Sequence, residues 1–279
     1  EPEVVRGPDG EYVMFFTASL RSPRGLCNCC RKNESKCDGS TGPGDCPSTL
    51  RSAESRGQSR RRLDADPSWM SYSISPDGPW STPVQIFEGY RGADTNFAPT
   101  ILANGSMVAI WREWTGRGSR CFLATAGDWK DPSTYDQHVG DGELWPDLGA
   151  AGTEDPFVYR DPDGYFHAVF HHMYGYDTTD HWWLDASGGH AFSRDGLKDW
   201  VYGGVAWGPA TTRQQGDVVG FDDGSSVRFT RRERPHLIFR EDGTISHLTS
   251  AAQYGRGTDP GQAGDNGDAC FTLVQPVAK

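Results

Sequence analysis

The chain has 279 residues and a formal charge of −11, with 35% apolar and 12% aromatic residues, 35 Gly and 18 Pro. That acidity disfavours nucleic acid and anionic lipid as partners. There is no apolar run long enough to span a membrane and no sustained 3.6-residue apolar period. What remains is a turn-rich, all-β domain over residues 1–279, able to bury one sizeable core, with a neutral ligand still open.

Residues 1–20 read as a hairpin: Glu1-Pro2-Glu3-Val4-Val5, a Pro8-Asp9-Gly10 turn, then Tyr12-Val13-Met14-Phe15-Phe16. Residues 21–66 interrupt it. They carry Cys27, Cys29, Cys30, Cys37 and Cys46 and then a Ser/Arg-rich run, with almost no large apolar residue, so they form a Cys-rich, partly mobile insertion in the first blade. Seven cysteines in all suggest an oxidising compartment and disulfides; the irregular spacing and lack of a nearby His make a zinc site the weaker reading. The sequons Asn33-Glu34-Ser35 and Asn104-Gly105-Ser106 fit a secreted or extracellular protein. The chain opens directly on a strand, so an incomplete or processed N-terminus is expected.

The hairpin grammar recurs. Phe97-Ala98-Pro99 leads through Asn104-Gly105 to a second apolar strand. Glu154-Asp155-Pro156-Phe157-Val158 leads through Pro162-Asp163-Gly164 to Phe166–Phe170, and Glu233-Arg234-Pro235-His236-Leu237 leads through Asp242-Gly243 to Ile245. Second-half markers follow three of the copies, as in Tyr72-Ser73-Ile74-Ser75-Pro76-Asp77-Gly78 and His190-Ala191-Phe192-Ser193-Arg194-Asp195-Gly196. Short-strand repeats of roughly 40 to 50 residues are the signature of propeller blades, whereas an ordinary β-sandwich would reuse hairpins without this order. Four blades are recognisable, ending at about residues 88, 148, 209 and 279. A five-bladed ring is expected, with its fifth blade supplied by sequence before Glu1.

In a propeller the first strand of every blade lines the channel, so Glu1 and Glu3, Asn96, Glu154 and Asp155, and Glu233 should converge. Clustered carboxylates repel one another and raise the pKa of at least one member. Glycoside hydrolysis needs one protonated carboxyl to give a proton to the leaving oxygen and one ionised carboxyl to activate water. The competing reading makes these acids salt-bridge partners of Arg231, Arg232 and Arg234. Arg112 and Arg232 are candidate substrate binders. His171 and His172, with Trp182 and Trp183 in the His- and aromatic-rich segment that follows, are candidate walls of a sugar subsite.

These motifs resemble the five-bladed glycoside hydrolases of the family 43, 32, 62 and 117 superfamily. Glu154-Asp155-Pro156 is similar to their third-blade Asp-Pro motif, Glu233-Arg234-Pro235-His236-Leu237 to a Glu-x-Pro-x-Leu motif in the fourth, Asn96-Phe97-Ala98-Pro99 to a second-blade Ala-Pro strand, and His190-Ala191-Phe192-Ser193 to a His-x-x-Ser strand near the channel. The resemblance implies a carbohydrate substrate and an inverting mechanism that requires no cofactor. It makes Glu233 the general acid, Asp155 the carboxylate that orients and tunes it, and Glu1 the occupant of the general-base position, where the family has Asp. It also implies a place for His190 at the channel, where some relatives hold a structural Ca2+. A carbohydrate-binding propeller that has lost its base is the alternative. Oligomeric state leaves no mark in the sequence.

Overall fold

The structure, a computed structural model, describes residues 2–17, 67–87, 93–114, 118–148, 152–172, 187–208, 217–229, 231–253 and 270–277. The Cys-rich insertion and its expected disulfides, like Trp182 and Trp183, lie outside them. The described residues form strands and short 3-10 turns, with no α-helix among them.

Five antiparallel sheets follow one another. The first holds β1 (Glu3–Arg6), β2 (Tyr12–Thr17), β3 (Ser68–Ser73) and β4 (Val84–Phe87). The second holds β5 (Ala93–Ile101), β6 (Met107–Trp114), β7 (Ser119–Ala126) and β8 (Tyr135–Asp136). The third holds β9 (Thr153–Arg160), β10 (Phe166–His172), β11 (Gly188–Ser193) and β12 (Val201–Trp207). A hairpin of β13 (Asp217–Gly220) and β14 (Ser226–Phe229) comes next, then a three-stranded sheet of β15 (Arg231–Phe239), β16 (Ile245–Gln253) and β17 (Cys270–Pro276). In each of the larger sheets the strands pair in chain order, so β1, β5, β9 and β15 are edge strands.

One turn opens every sheet. The amides of Gly10, Gly105, Gly164, Gly224 and Gly243 each donate to the carbonyl three residues back, at 2.9 to 3.0 Å. All five glycines have φ between 80° and 93°, which a side chain would resist. The copy at Phe221-Asp222-Asp223-Gly224 lacks the leading proline that marks the other four. Within residues 217–277 the β13–β14 hairpin, which comes between the third and last sheets in chain order, pairs separately from the three-stranded sheet.

The sheets stack face to face because many of their strands are apolar on both sides. Along β6, Met107, Ala109 and Trp111 enter a core shared with Val13, Phe15 and Met70 of the first sheet. Val108 and Ile110, the residues between them, enter a second core with Val158, Phe166 and Phe170 of the third sheet. Val169 on the opposite face of β10 meets Leu237 and Leu248 of the last sheet, and Val219 and Phe229 of the hairpin meet Ala252 and Leu273. Period-2 alternation thus puts a separate apolar layer between successive neighbours, which is propeller packing. The layers are tight: Phe170, fully buried, stacks on Trp145 with ring centroids 4.3 Å apart.

A Cβ at Gly189 would lie 2.4 Å from the Phe170 ring, whereas one at Gly220 would meet nothing within 4 Å. Gly189→Ala should therefore lower stability by about 1–3 kcal/mol through overpacking, and Gly220→Ala should change it by less than about 0.5 kcal/mol. Urea denaturation of the two variants checks the contrast, and equal losses would contradict the packing described.

Candidate active site

The site forms where the starts of the innermost strands meet. Two of those strands carry a bulge just inside the junction. Between the pairs Phe157–Val169 and Glu154–His171, β9 has one residue more than β10. Between His236–Thr249 and Glu233–Ala251, β15 has one more than β16. Both bulges fall on a residue before proline, Asp155 and Arg234, at φ 50° and 55°. Left-handed geometry suits neither a non-glycine residue nor a residue preceding proline, and costs roughly 1–3 kcal/mol at each position. The bulges turn the side chains of Glu154, Asp155 and Glu233 toward one another.

Glu154, Asp155, His171 and Glu233 each place a potential ligand atom within 4.8 Å of the others. Glu154 is the most heavily bonded. Arg112 Nη1 from β6 lies 2.5 Å from its Oε2, His171 Nδ1 from β10 lies 3.1 Å from its Oε1, and Arg231 Nη2 from β15 stands 4.0 Å from Oε1. Burial alone would raise its pKa, but the His171 hydrogen bond and the positive charges around it outweigh that and hold Glu154 ionised.

Asp155 is its opposite. It is 7% exposed, its amide donates to Asn96 Oδ1 at 3.2 Å, and its Oδ2 has no hydrogen-bond partner among the described residues. Burial first, then the charges of Glu154 and Glu233, push its pKa up to about 7. Glu233 is paired with Arg231 Nη2 at 2.6 Å, and Arg234 Nε stands 3.8 Å from its Oε1. Three carboxyls and an imidazole are a donor set that could also hold a divalent cation. Arg112 and Arg231 already sit against Glu154 and Glu233 and supply positive charge there.

The candidates named from sequence separate into groups. Asp155, Glu233, Glu154, Asn96 and Arg112 come together. Asn96 is buried and accepts from both the Asp155 amide and Arg112 Nη1, so it positions its neighbours. His171 also belongs to the cluster, but at 1% exposure it lies beneath Glu154 rather than forming a wall. Glu1 lies outside the described residues, while Glu3 faces His236 of the last sheet at 2.8 Å.

Three expectations are corrected by strand alternation and strand order. Arg232, between Arg231 and Glu233, points the other way: it is buried, pairs with Asp217 of the hairpin, and donates to Ser250 Oγ and Gln275 Oε1. His172 turns from the cluster toward the Leu148 carbonyl and the Tyr202 hydroxyl, at 3.2 and 3.4 Å. His190 is on β11, two strands out from innermost β9, with its Nε2 3.0 Å from His167 Nδ1, and it does not face the channel. Sequence alone offers Arg231 and Arg234 only as salt-bridge partners. Spacing by two from Glu233 would have placed Arg231 on the same face.

No protein-family model and no curated protein matches the sequence. Solved structures do match the fold. A thermostable family-43 glycoside hydrolase superposes with a TM-score of 0.53 and 13% identity, covering 100% of this chain and 71% of the other. An α-L-arabinofuranosidase from Lactobacillus brevis gives 0.54 and 14%, over 99% and 71%. An endo-arabinase from Bacteroides thetaiotaomicron gives 0.50 and 13%, over 100% and 74%. The chain has the propeller fold of these structures, as its motifs implied.

The raised pKa of Asp155 has a consequence for stability. A carboxyl whose folded pKa lies above its unfolded value favours the fold most below the unfolded value, and that contribution is lost as pH rises through the folded one. For Asp155 the window runs from about 4 to about 7. Asn cannot ionise and tolerates positive φ. Asp155→Asn should leave stability near pH 4 little changed and raise it by about 4 kcal/mol near pH 8, as thermal melts at the two pH values would show. A variant no more stable than the parent at pH 8 would contradict the electrostatics assigned to this cluster.

Proposed function

We propose that this protein hydrolyses glycosidic bonds in an oligo- or polysaccharide, with Glu233 giving a proton to the leaving oxygen and Asp155 orienting and tuning that acid. The reading is carried by one observation: Asp155 and Glu233, from innermost strands of different sheets, approach within 4.8 Å. Two carboxyls that close do not ionise independently, so the pair retains a proton to higher pH than an isolated acid would. The fold shared with a family-43 glycoside hydrolase, an arabinofuranosidase and an endo-arabinase supports the reaction class.

Inversion needs roughly 6.5 to 9.5 Å between acid and base to admit a water, more than this cluster spans. The base is therefore a residue outside the cluster. Glu1, which the sequence places two residues before β1, is our candidate. Seven cysteines and two sequons support a secreted setting for an enzyme that meets polysaccharide outside the cell. The second reading, a carbohydrate-binding propeller without turnover, draws its support from Glu1, one methylene longer than the family's Asp at the base position.

Product release from a panel of aryl glycosides and plant and algal polysaccharides separates the two. Under the hydrolase reading Glu233→Gln should lower kcat by about 10²- to 10⁴-fold and leave binding intact. Asp155→Asn should lower kcat by about tenfold to a hundredfold with KM little changed, because Glu233 loses the carboxyl that orients it. Glycan binding by the parent chain without product from any substrate would favour the binding-module reading.

A further inference from the structure

We propose that His167 and His190 bind a divalent transition-metal ion, Cu2+ more tightly than Zn2+, with Asp161 holding His167 in the ligating orientation. The site is separate from the acidic cluster and does not depend on the hydrolase reading.

Strand pairing puts the two imidazoles together. Val169 of β10 pairs with His190 of β11, and His167 lies two residues before Val169 on the same face. The two histidines are thus diagonal neighbours across the pair of strands, within reach of each other's side chains. His167 Nδ1 and His190 Nε2 are 3.0 Å apart. Neighbouring ligands on an ion with bonds of about 2.0–2.1 Å stand about 2.9 to 3.4 Å from one another, so this spacing suits a shared metal.

The other side of His167 is built for the same purpose. Its Nε2 lies 3.0 Å from Asp161 Oδ2, while Asp161 Oδ1 accepts from the Tyr165 amide at 2.7 Å and so is fixed by the turn between β9 and β10. A carboxylate on the far nitrogen of a histidine holds the proton there, leaves the near nitrogen bare and raises its basicity. His190 Nε2 is then the donor to His167 Nδ1, and a metal ion takes the place of that one proton as both rings turn their lone pairs to a common point. Among the described residues no arginine or lysine pairs with Asp161, in contrast to Glu154 and Glu233. Tyr159 lies flat against His167 and Phe192 against His190, at interplanar angles of 15° and 24°, so both rings are oriented in advance.

Water reaches the pair and can fill the remaining coordination positions: the His167 and Asp161 side chains are 19% and 23% exposed. Two imidazole nitrogens suit Cu2+ and Zn2+, whereas Ca2+ and Mg2+ require oxygen ligands. His167 is four residues from His171 along β10, roughly 13 Å, so an ion here stands clear of the acidic cluster.

Titrating the full, untagged chain with Cu2+ and with Zn2+ tests this. Because cysteines and the acidic cluster also offer metal ligands, pulsed EPR of the Cu2+ complex supplies the site-specific reading. The first equivalent of Cu2+ should show coupling to two imidazoles, and His167→Gln and His190→Gln should each remove that signal, with melting in metal-free buffer checking their folds. Asp161→Asn, which keeps both ligands and the turn's acceptor, should retain the two-imidazole signal and bind about tenfold to a hundredfold more weakly. Fewer than two imidazoles on the first equivalent, a two-imidazole signal that survives either histidine variant, or unchanged affinity in Asp161→Asn overturns the proposal.

Discussion

Glu154 is the charge on which the rest of the site is built. A carboxylate at 9% exposure is costly unless its lone pairs are met, and here Arg112 and His171 hydrogen-bond it while the charge of Arg231 stands 4.0 Å away, from three strands of three sheets. Those contacts bring β6, β9, β10 and β15 to one point. They also fix a negative charge directly beside Asp155, whose own burial already opposes ionisation. The neutrality of Asp155 thus follows first from its burial and then from the ionisation of its sequence neighbour. Removing Glu154 alone would leave buried positive charge behind, so the network acts as a unit rather than as separable pairs.

Geometry makes that juxtaposition affordable. Consecutive residues on a regular strand face opposite ways, so Glu154 and Asp155 could not both reach the same cluster from unbroken β structure. The extra residue at the bulge breaks the alternation, and the left-handed φ of Asp155 carries the strain. The same device recurs at Arg234 in β15: Arg231 and Glu233 share a face by ordinary alternation, and the bulge that follows brings Arg234 Nε within 3.8 Å of Glu233. Strain of this kind persists only where its surroundings hold it, and both sites are anchored by a following proline and by apolar layers on either face of the sheet.

Much of this was legible in the sequence because it is local. Proline, apolar strand, turn glycine and apolar strand are short-range signals, and the turn glycines proved to have the positive φ the turns require. Convergence of Asp155 with Glu233 followed from topology alone, since equivalent strand starts in a propeller must meet. The separate pairing of the β13–β14 hairpin is less legible, because Phe221-Asp222-Asp223-Gly224 has the turn without a proline leading its strand. Arg232, His172 and His190 were misplaced for another reason. Residue type suggested a site, but direction is set by alternation and by a strand's distance from the axis. Arg232 shows the difference sharply: flanked by two residues that face the cluster, it spends its charge on Asp217 and docks the hairpin to the last sheet.

That opposition between neighbours on β15 explains how one arginine-rich segment does two jobs. Arg231 and Arg232 are adjacent and chemically identical, yet strand geometry sends one into the cluster and the other into the interface with the hairpin. The ion pair of Arg232 is nearly dry, so its worth lies in fixing orientation more than in net stability. It pins the start of β15, and with it the height at which Glu233 meets Asp155. Under the hydrolase reading proposed above, a carboxyl displaced by an ångström would lose much of its effect, so a buried pair on the far face of the strand would bear on the chemistry without touching it.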